Sequence, residues 1–341
     1  MNWAEIKKTA RERFGPACRV CPVCDGRACA GEMPGMGGVG SGASFMNNVA
    51  ALARYRLNLR TLHDKDTPDT RLTLFGHALE IPILVAPVAG TAPNMNNAVP
   101  EEDLADALMG GAVAAGSLGM AGDGPSPKFA EIGLATLARY EGRGCFISKP
   151  RHAEDILRLL HQAEDAGAWA VGVDIDAAGI INMVRAGQYV GPKPVSAWRD
   201  IIARLGRPFI LKGIMTPDEA EMALDTGAAA IVVSNHGGRI LDHTPGTADV
   251  LPSIAARVKG KITILADGGV RSGYDVLKML ALGADAVMVG RPMAIAAVGG
   301  GKEAVAALLA QYADQLRSAM ILTGCGSLAD VNARILWRDD A

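Results

Sequence analysis

The sequence predicts an α/β fold, namely a closed (β/α)8 TIM barrel with a short N-terminal extension. Hydrophobic residues make up 49% of the 341 residues and aromatic residues only 4%, so small aliphatic side chains should form the core. The 41 glycines indicate many tight turns. From about residue 80 onward, short apolar runs alternate with longer amphipathic stretches, a pattern that favours parallel strands with helices between them.

Charge and apolar patterning limit the classes of partner. The chain has 34 Lys and Arg residues against 36 Asp and Glu residues, a net charge of -2 that gives no electrostatic reason to expect nucleic acid or an anionic membrane. Glycine, proline or a charged residue interrupts every apolar run before it reaches the roughly 18 residues of a membrane helix. A small molecule is therefore the expected partner.

The N-terminal region differs from the rest of the chain. Residues 1–14 alternate charged and apolar side chains without the apolar core of a signal peptide, which predicts a short amphipathic helix in a cytoplasmic protein. The glycines of residues 31–42 exclude a regular helix or strand there, and they indicate either a linker or backbone wrapped around a ligand. We expect residues 1–44 to form an extension and residues 45–341 to form the barrel domain.

The predicted strands are short apolar runs bounded by glycine or polar residues. They are residues 81–86, 112–115, 145–147, 170–174, 209–212, 230–234, 262–266 and 286–289. The predicted helices between them include residues 153–166, 217–226 and 273–282, each ending near a glycine. Eight such units in about 250 residues fit a closed barrel better than an open sheet.

Polar residues follow five consecutive predicted strands. They are Asp174, Lys212, the run Ser234, Asn235 and His236, the run Asp267, Gly268 and Gly269, and the pair Gly290 and Arg291. Barrel enzymes place their chemistry at the carboxyl ends of the strands, so these groups should share one site. Buried ionisable groups are costly without partners, which indicates a ligand or mutual pairing.

The last two of these strand ends predict a phosphate site. Glycines at Gly268, Gly269 and Gly290 allow backbone N–H groups to approach phosphate oxygens, and Arg271 and Arg291 add guanidinium groups. The alternative is a pair of ordinary turns with both arginines on the surface.

His236 and Arg239 form a second predicted group, three residues apart on a glycine-rich turn. Histidine is suited to proton removal near neutral pH, and arginine binds a carboxylate through two parallel hydrogen bonds. Asp174, two strands away, is the expected partner that orients the imidazole of His236. Without such a partner, a lone histidine is more often a structural residue.

Several runs resemble a known family. SNHGGR, DGGVR and GRP, together with ILKGIMTPDEA and LTGCGSL, resemble the FMN-dependent α-hydroxy acid oxidases and dehydrogenases, the glycolate and lactate oxidase family. Weaker similarity continues through ALARYRLNLRTL, IPILVAPVAG and WAVGVDID. The resemblance covers most of the chain except residues 1–44.

The resemblance implies roles for these residues. His236 would take the hydroxyl proton of the substrate, Asp174 would hold the imidazolium, and Arg239 would bind the substrate carboxylate. Lys212 would stabilise the reduced flavin. The remaining FMN contacts would come from Pro87, Val88 and Ala89 along the ring, from Ser234, and from Asp267, Gly268, Gly269, Arg271, Gly290 and Arg291 around the ribityl chain and phosphate.

The sequence departs from the family pattern at its two active-site tyrosines. Lys149 occupies the position of one, and the cysteine-rich and glycine-rich segment replaces the other. The expected threonine of the fourth strand is Gly172, and a serine after the second strand is lost near Gly122. Lys149 is either a replacement contact to substrate or a solvated lysine before Pro150. The substrate is then expected to be larger, more anionic or differently shaped than glycolate or lactate.

Four cysteines lie within twelve residues of one another. The spacing of Cys18, Cys21, Cys24 and Cys29 resembles a ferredoxin cluster motif, with one additional residue before the last cysteine. Four thiolates suit a [4Fe-4S] cluster or tetrahedral zinc, a Cys21–Cys24 disulfide is a further alternative, and free thiols are another. Cys145 and Cys325 are expected to be buried apolar residues.

Three functional hypotheses follow. The first is an FMN enzyme that oxidises a 2-hydroxy acid or a related alcohol to the keto product. The second is an FMN-dependent isomerase, or an oxidase that modifies a non-standard substrate. The third is a non-enzymatic module that binds flavin or a metal cluster. The family resemblance also implies a homo-oligomer, either a tetramer or an octamer.

Overall fold

A computed structural model describes residues 2–338 of the chain. The strands are β1 (Tyr55–Leu57), β2 (Leu72–Leu74), β3 (His77–Leu79), β4 (Ile83–Val85), β5 (Gly119–Gly122), β6 (Gly144–Ser148), β7 (Ala170–Asp174), β8 (Phe209–Ile214), β9 (Ala230–Val233), β10 (Thr263–Ala266), β11 (Ala286–Val289) and β12 (Leu336–Arg338). The α-helices are α1 (Trp3–Phe14), α2 (Ala43–Ala53), α3 (Thr91–Met95), α4 (Glu101–Ala114), α5 (Pro127–Arg139), α6 (Ala153–Asp165), α7 (Ile181–Arg185), α8 (Val195–Ile202), α9 (Pro217–Asp225), α10 (Thr247–Val258), α11 (Gly273–Ala281) and α12 (Arg291–Thr323). Met1 and residues 339–341, at the ends of the predicted N-terminal helix and barrel domain, lie outside the described residues.

The strands from β4 to β11 form a closed parallel barrel. They pair in the order β10-β11-β4-β5-β6-β7-β8-β9, and β9 returns to β10. Helices connect successive strands on the outside, so the predicted TIM barrel is confirmed. Since all strands run in the same direction, their carboxyl ends meet at one face.

The predicted second strand is wrong. Residues 112–115 lie at the end of α4 and in the turn after it, and the actual strand is β5. The reason is composition, because alanines and glycines at residues 110–115 continue the helix whereas β5 has the sequence Gly-Met-Ala-Gly, which has low strand propensity. Gly119 is required for packing, because a Cβ there would lie 3.1 Å from the Cα of Met109 in α4.

Buried apolar side chains form two main clusters, one inside the barrel and one around it. Inside it, Leu84, Cys145, Ile210 and Met288 belong to one buried cluster, which the β2–β3 hairpin closes at the amino ends of the strands with Leu74 and Leu79. A larger cluster lies between the barrel and its helices. Cys145 and Cys325 are both fully buried, as predicted.

The N-terminal extension packs against the end of the barrel sequence. Helix α1 lies along α12, where Ile6 contacts Gly299 and Gly300. The chain then continues through a 3-10 turn at Gly15–Ala17 into the cysteine-rich segment and reaches the barrel again at α2.

Helix α12 is, among the described residues, the one helix long and apolar enough to cross a membrane by length and composition. It is interrupted by non-helical backbone at Gly300 and Gly301, and 50% of its most apolar window is buried. Its neighbours are α1, α4 and α11. These contacts identify α12 as part of the helical layer around the barrel.

Candidate active site

One pocket of about 170 Å³ lies at the carboxyl ends of the barrel strands. Most of the predicted site residues line it: Pro87, Val88, Ala89, Lys149, Lys212, His236, Arg239, Asp267, Gly268, Gly269, Arg271, Gly290 and Arg291. Asp174 and Ser234 lie in the protein interior below these groups. The strand ends therefore converge on one site, as a barrel requires.

The turn after β9 holds His236 in a left-handed conformation, with a φ of 57°. Ser234 was expected to touch the cofactor, but it is fully buried and its Oγ accepts the backbone N–H of His236 at 3.0 Å. The buried Asn235 closes the turn, since its Oδ1 accepts the N–H of Gly238 at 3.1 Å. A non-glycine residue at positive φ is uncommon, and these bonds keep the imidazole at the pocket.

The direct partner of His236 is Asp176, and the expectation of Asp174 is wrong. The Nδ1 atom of His236 lies 3.1 Å and 3.3 Å from the two carboxylate oxygens of Asp176. Strand β7 ends at Asp174, and the 3-10 helix Ile175–Gly179 turns Asp176 toward the imidazole. Gly213 provides the space, because a Cβ there would lie 2.5 Å from the Cβ of Asp176.

Asp174 is held by two lysines. Its Oδ2 lies 2.7 Å from Nζ of Lys149, and its Oδ1 lies 2.8 Å from Nζ of Lys212. All three side chains are nearly fully buried, which argues against the alternative of a solvated Lys149. The positive charges of Lys149 and Lys212 lower the pKa of Asp174 against the effect of burial.

Asp174, Asp176 and His236 are close enough to resemble a metal site, but the two ammonium groups already supply positive charge there.

The surroundings of His236 favour its neutral form. Burial lowers the pKa of His236 and the charge of Lys212 lowers it further, while Asp176 and Asp174 act in the opposite direction. A neutral imidazole with Nδ1 bonded to Asp176 has Nε2 free to accept a proton. This is the arrangement of a general base whose conjugate acid a carboxylate stabilises.

Three arginines line the same pocket. Among residues 2–338, Arg239, Arg271 and Arg291 have no carboxylate within salt-bridge distance and instead donate to backbone carbonyls of residues 24, 35–37, 237 and 270. Burial lowers the pKa of Arg239 to about 10, and burial with repulsion from Arg239 and Arg271 lowers that of Arg291 to about 9. Partly buried guanidinium groups without carboxylate partners indicate a site for anions.

The sequence matches a family described as FMN-dependent dehydrogenase over residues 35–194 and 192–338. The chain is 32% identical to an L-lactate oxidase of Lactobacillus jensenii over 320 residues, which are 84% of this chain and 76% of that protein. It is 33% identical to a 4-hydroxymandelate oxidase of Amycolatopsis orientalis, with 86% and 89% of the two chains covered. The chain belongs to the FMN-dependent dehydrogenase family. The structure of a mandelate oxidase variant with an FMN adduct superposes with a TM-score of 0.76, at 32% identity over 98% of both chains.

The pocket fits the FMN of the FMN-dependent dehydrogenase family. Three partly buried arginines without a carboxylate partner suit a phosphate. Oδ1 of Asp267 is buried without a hydrogen-bond partner within the described part of the chain, which suits a hydroxyl donor such as that of a ribityl chain. Gly268 and Gly269 line the pocket with φ values of 98° and 80°, a conformation that favours glycine. As a member of this family, the protein is an enzyme and an FMN-dependent oxidoreductase.

The sequence alone did not reveal three further groups at this FMN pocket. Arg151 makes two bonds to Asp123, with Nε 2.7 Å from Oδ2 and NH2 2.9 Å from Oδ1. Asn94 accepts a bond from Arg239 at 2.9 Å. Met36 and Phe45 line the pocket from the N-terminal side. The position of Arg151 near the end of β6 was the one available signal, since Phe45 and Asn94 lie in α2 and α3 and Met36 lies in a loop, none of them within a motif.

The four N-terminal cysteines line a separate cavity of about 30 Å³ beside the FMN pocket. All four are free thiols in this structure, which therefore does not contain the Cys21–Cys24 disulfide named above as an alternative. Burial raises the pKa of Cys18, and Cys24, Cys29 and Cys21 each add to this effect. The match to the family begins at residue 35, beyond these cysteines.

Proposed function

We propose that this enzyme oxidises a 2-hydroxy acid to the corresponding 2-oxo acid, with FMN as the cofactor. One observation carries the proposal: a histidine whose pKa is lowered by burial, bonded to a carboxylate at 3.1 Å, faces a pocket that Arg239 also lines. A base and a guanidinium in one cavity suit a substrate that bears a hydroxyl and a carboxylate.

Each residue has a defined role in this proposal. Nε2 of His236 accepts the hydroxyl proton, and Asp176 stabilises the imidazolium that forms. Arg239 exchanges its contacts with the carbonyls of Gly35 and Gly37 for the substrate carboxylate. Asp174 keeps Lys149 and Lys212 in place and compensates part of their charge.

The cofactor is held by the other strand ends. Arg271 and Arg291 bind the phosphate, Asp267 binds the ribityl chain, and Pro87, Val88 and Ala89 lie along the ring. Gly268, Gly269 and Gly290 allow the backbone to approach it. A bound FMN would supply the acceptor for the α-hydrogen and its electron pair, and Lys212 would place a positive charge beside it.

Lys149 and Met36 make the substrate side of this pocket different from the family pattern. Lys149 occupies a position where the family pattern has a tyrosine, and its ammonium lies at the pocket wall. Met36 lines the same pocket and offers no hydroxyl. A full charge in place of a phenol favours a substrate with more anionic character than lactate.

The test uses the FMN-loaded protein under anaerobic conditions. A panel of 2-hydroxy acids that differ in size and charge is mixed with it, and loss of the flavin absorbance near 450 nm is followed as expected for reduction. At least one acid should bleach the wild type and fail to bleach His236→Gln, which should retain FMN. If no acid bleaches the wild type but an unsaturated substrate is isomerised, the FMN isomerase hypothesis is favoured.

We further propose that residues 1–44 are a distinct metal-binding extension of the barrel at 45–341, with Cys18, Cys21, Cys24 and Cys29 as ligands to a [4Fe-4S] cluster or to zinc. Four cysteines around one cavity support this assignment. We also propose that the protein is cytoplasmic and forms a homo-oligomer, either a tetramer or an octamer. Sedimentation of the purified holoenzyme measures the oligomeric state.

A further inference from the structure

Hydrogen bonds from α1 and from the barrel hold the cysteine segment in place. Arg11 of α1 donates to the carbonyls of Arg19 and Val20 at 2.8 Å and 2.9 Å. Arg271, at the end of β10, donates to the carbonyl of Cys24 at 3.1 Å. Val20 is buried with a φ of 45°, a conformation that a β-branched residue rarely adopts. A simple linker would not be expected to have several hydrogen bonds and a strained residue. Both features are typical of a loop whose conformation is held for binding a ligand.

Hydrogen-bond donors point at the sulfur atoms. The N–H of Val20 lies 3.5 Å from Sγ of Cys18, and NH2 of Arg271 lies 3.6 Å from Sγ of Cys24. Arg291 also lines the cysteine cavity. Donors and cations around thiolates stabilise their negative charge and tune the potential of a bound cluster.

The spacing of the thiols excludes a preformed mononuclear site. Tetrahedral zinc with Zn–S distances of about 2.3 Å requires sulfurs about 3.8 Å apart. Within residues 2–338, no three of the cysteine sulfurs lie within 4.8 Å of one another. Instead they surround a cavity of about 30 Å³. A cluster with four irons at separate corners holds its cysteine sulfurs farther apart than one ion does, so it suits this arrangement better.

The cysteine cavity and the FMN pocket share a wall. Met36, Phe45 and Arg291 line both of them. The guanidinium of Arg291 lies 3.8 Å from the centre of the Phe45 ring, and a Cβ at Gly26 would lie 2.7 Å from the same ring. Gly26, between Cys24 and Cys29, therefore packs directly on Phe45. The two compartments are separated by the thickness of one side chain.

We propose that the four cysteines hold a [4Fe-4S] cluster through which the electrons of the flavin leave the enzyme one at a time. The inference rests on the proposed function, and it makes the enzyme a dehydrogenase. Oxidation of one 2-hydroxy acid releases two electrons and two protons. One proton goes to His236, and the other leaves the substrate with the electron pair that the flavin accepts. The electrons then reduce two molecules of a one-electron carrier protein in turn, and both protons pass to solvent.

The position of the cluster allows a carrier to approach. Pro22 and Val23, between Cys21 and Cys24, are exposed, and 69% of the Val23 surface is accessible. One side of the cysteine cavity therefore borders the surface, while the opposite side borders the FMN pocket. This is the arrangement that an electron exit requires.

The first experiment measures the cluster itself in the full-length protein purified without oxygen. We expect about four irons and four sulfides per chain, and a paramagnetic resonance signal after dithionite reduction. Cys21→Ser/Cys24→Ser should lose the iron and the signal, and its FMN content reports whether the barrel has folded. Cys325→Ala, which changes a cysteine remote from the cavity, should keep both. Zinc in place of iron, or iron that persists in the double variant, would overturn the inference.

The second experiment separates the electron exit from the substrate. The flavin of the wild type is reduced by light and a sacrificial donor, without any hydroxy acid, and the cluster signal should appear. With a substrate, cytochrome c as the protein probe should be reduced by the wild type and not by the double variant. A reduced flavin beside a cluster that stays oxidised overturns the electron exit. If light reduces the cluster but no 2-hydroxy acid bleaches the flavin, the exit stands and the proposed substrate class falls.

Discussion

His236 is bonded to Asp176 and not to Asp174, although Asp174 lies two residues earlier at the end of β7. The distance from Nδ1 to the nearer Asp176 oxygen is 3.1 Å, and both oxygens of Asp174 are held by lysines. The two carboxylates therefore have different tasks. Asp176 bonds the histidine that we propose as the base, and Asp174 pairs two buried cations.

Replacing Asp176 with Asn should reduce kcat about 10²- to 10⁴-fold, because the imidazolium formed on proton transfer loses its compensating charge. Stopped-flow flavin reduction measures this effect. Asp64→Asn, a change at an exposed carboxylate, serves as the control. A decrease smaller than threefold would show that Asp176 does not assist the base.

The pH dependence of kcat/KM should show the lowered pKa of His236 directly. The base acts in its neutral form, so activity is present above the pKa and is lost as pH falls through it. Since burial and Lys212 lower this pKa from the ordinary 6.5, the acidic limb should lie below pH 6.5. Asp176→Asn removes a charge that raises the pKa, and its limb should move to still lower pH. A limb above pH 6.5 in the wild type would contradict this assignment.

Lys149→Met should raise KM for a carboxylate-bearing substrate about 10-fold or more while kcat changes little, because the ammonium at the pocket wall is lost. Asp174 keeps its contact with Lys212 in this variant. Steady-state kinetics with the best acid of the panel measure the effect, and exposed Lys128→Met is the control. An unchanged KM would show that Lys149 does not contact the substrate and only pairs with Asp174.

Arg291→Met should weaken FMN binding about 10- to 100-fold, the effect of removing a charge-assisted hydrogen bond to phosphate. Equilibrium titration of the apoprotein with FMN measures the dissociation constant, with Arg317→Met as a surface control. Equal FMN affinity in Arg291→Met and the wild type would show that Arg291 does not bind the phosphate.

Arg151→Met should lower the free energy of unfolding by about 3–5 kcal/mol, because it leaves the carboxylate of Asp123 buried and unpaired. Urea unfolding of the FMN-loaded protein measures this. The double variant Asp123→Asn/Arg151→Met should recover part of the loss, whereas Arg158→Met, at an exposed position, should have little effect. Additive losses in the double variant would argue against a buried pair.

The sequence predicted the barrel and the polar strand ends because both depend on local patterns. Alternating apolar runs predict the strands, and parallel strands bring Lys212, His236, Asp267 and Arg291 to one face regardless of other details. The second strand was missed because its glycines have no strand pattern, and the close approach of Met109 to Gly119 is visible only in the folded structure.

Contacts that depend on the path of a loop could not be predicted. The partner of His236 is decided by a 3-10 turn that breaks the alternation of β7 and rotates Asp176 inward. Likewise, Arg239 and Arg291 bond to carbonyls of residues 35–37, which lie more than two hundred positions away in the chain. No local pattern encodes such a pairing, and neither Met36 nor Phe45 belongs to a recognisable motif.

The docking of Ile6 on the glycines of α12 has an entropic consequence for the cysteines. The cysteine segment is fastened at one end by α1 and at the other by the arginines that hold residues 35–37. Closing a loop of this length from a free chain costs about 2–3 kcal/mol, and here the fold has closed it before any metal arrives. Part of the affinity that we propose for the cysteine-bound cluster is therefore encoded in a helix that contributes none of the four thiols, so the removal of α1 should weaken binding of the cluster without altering a single ligand.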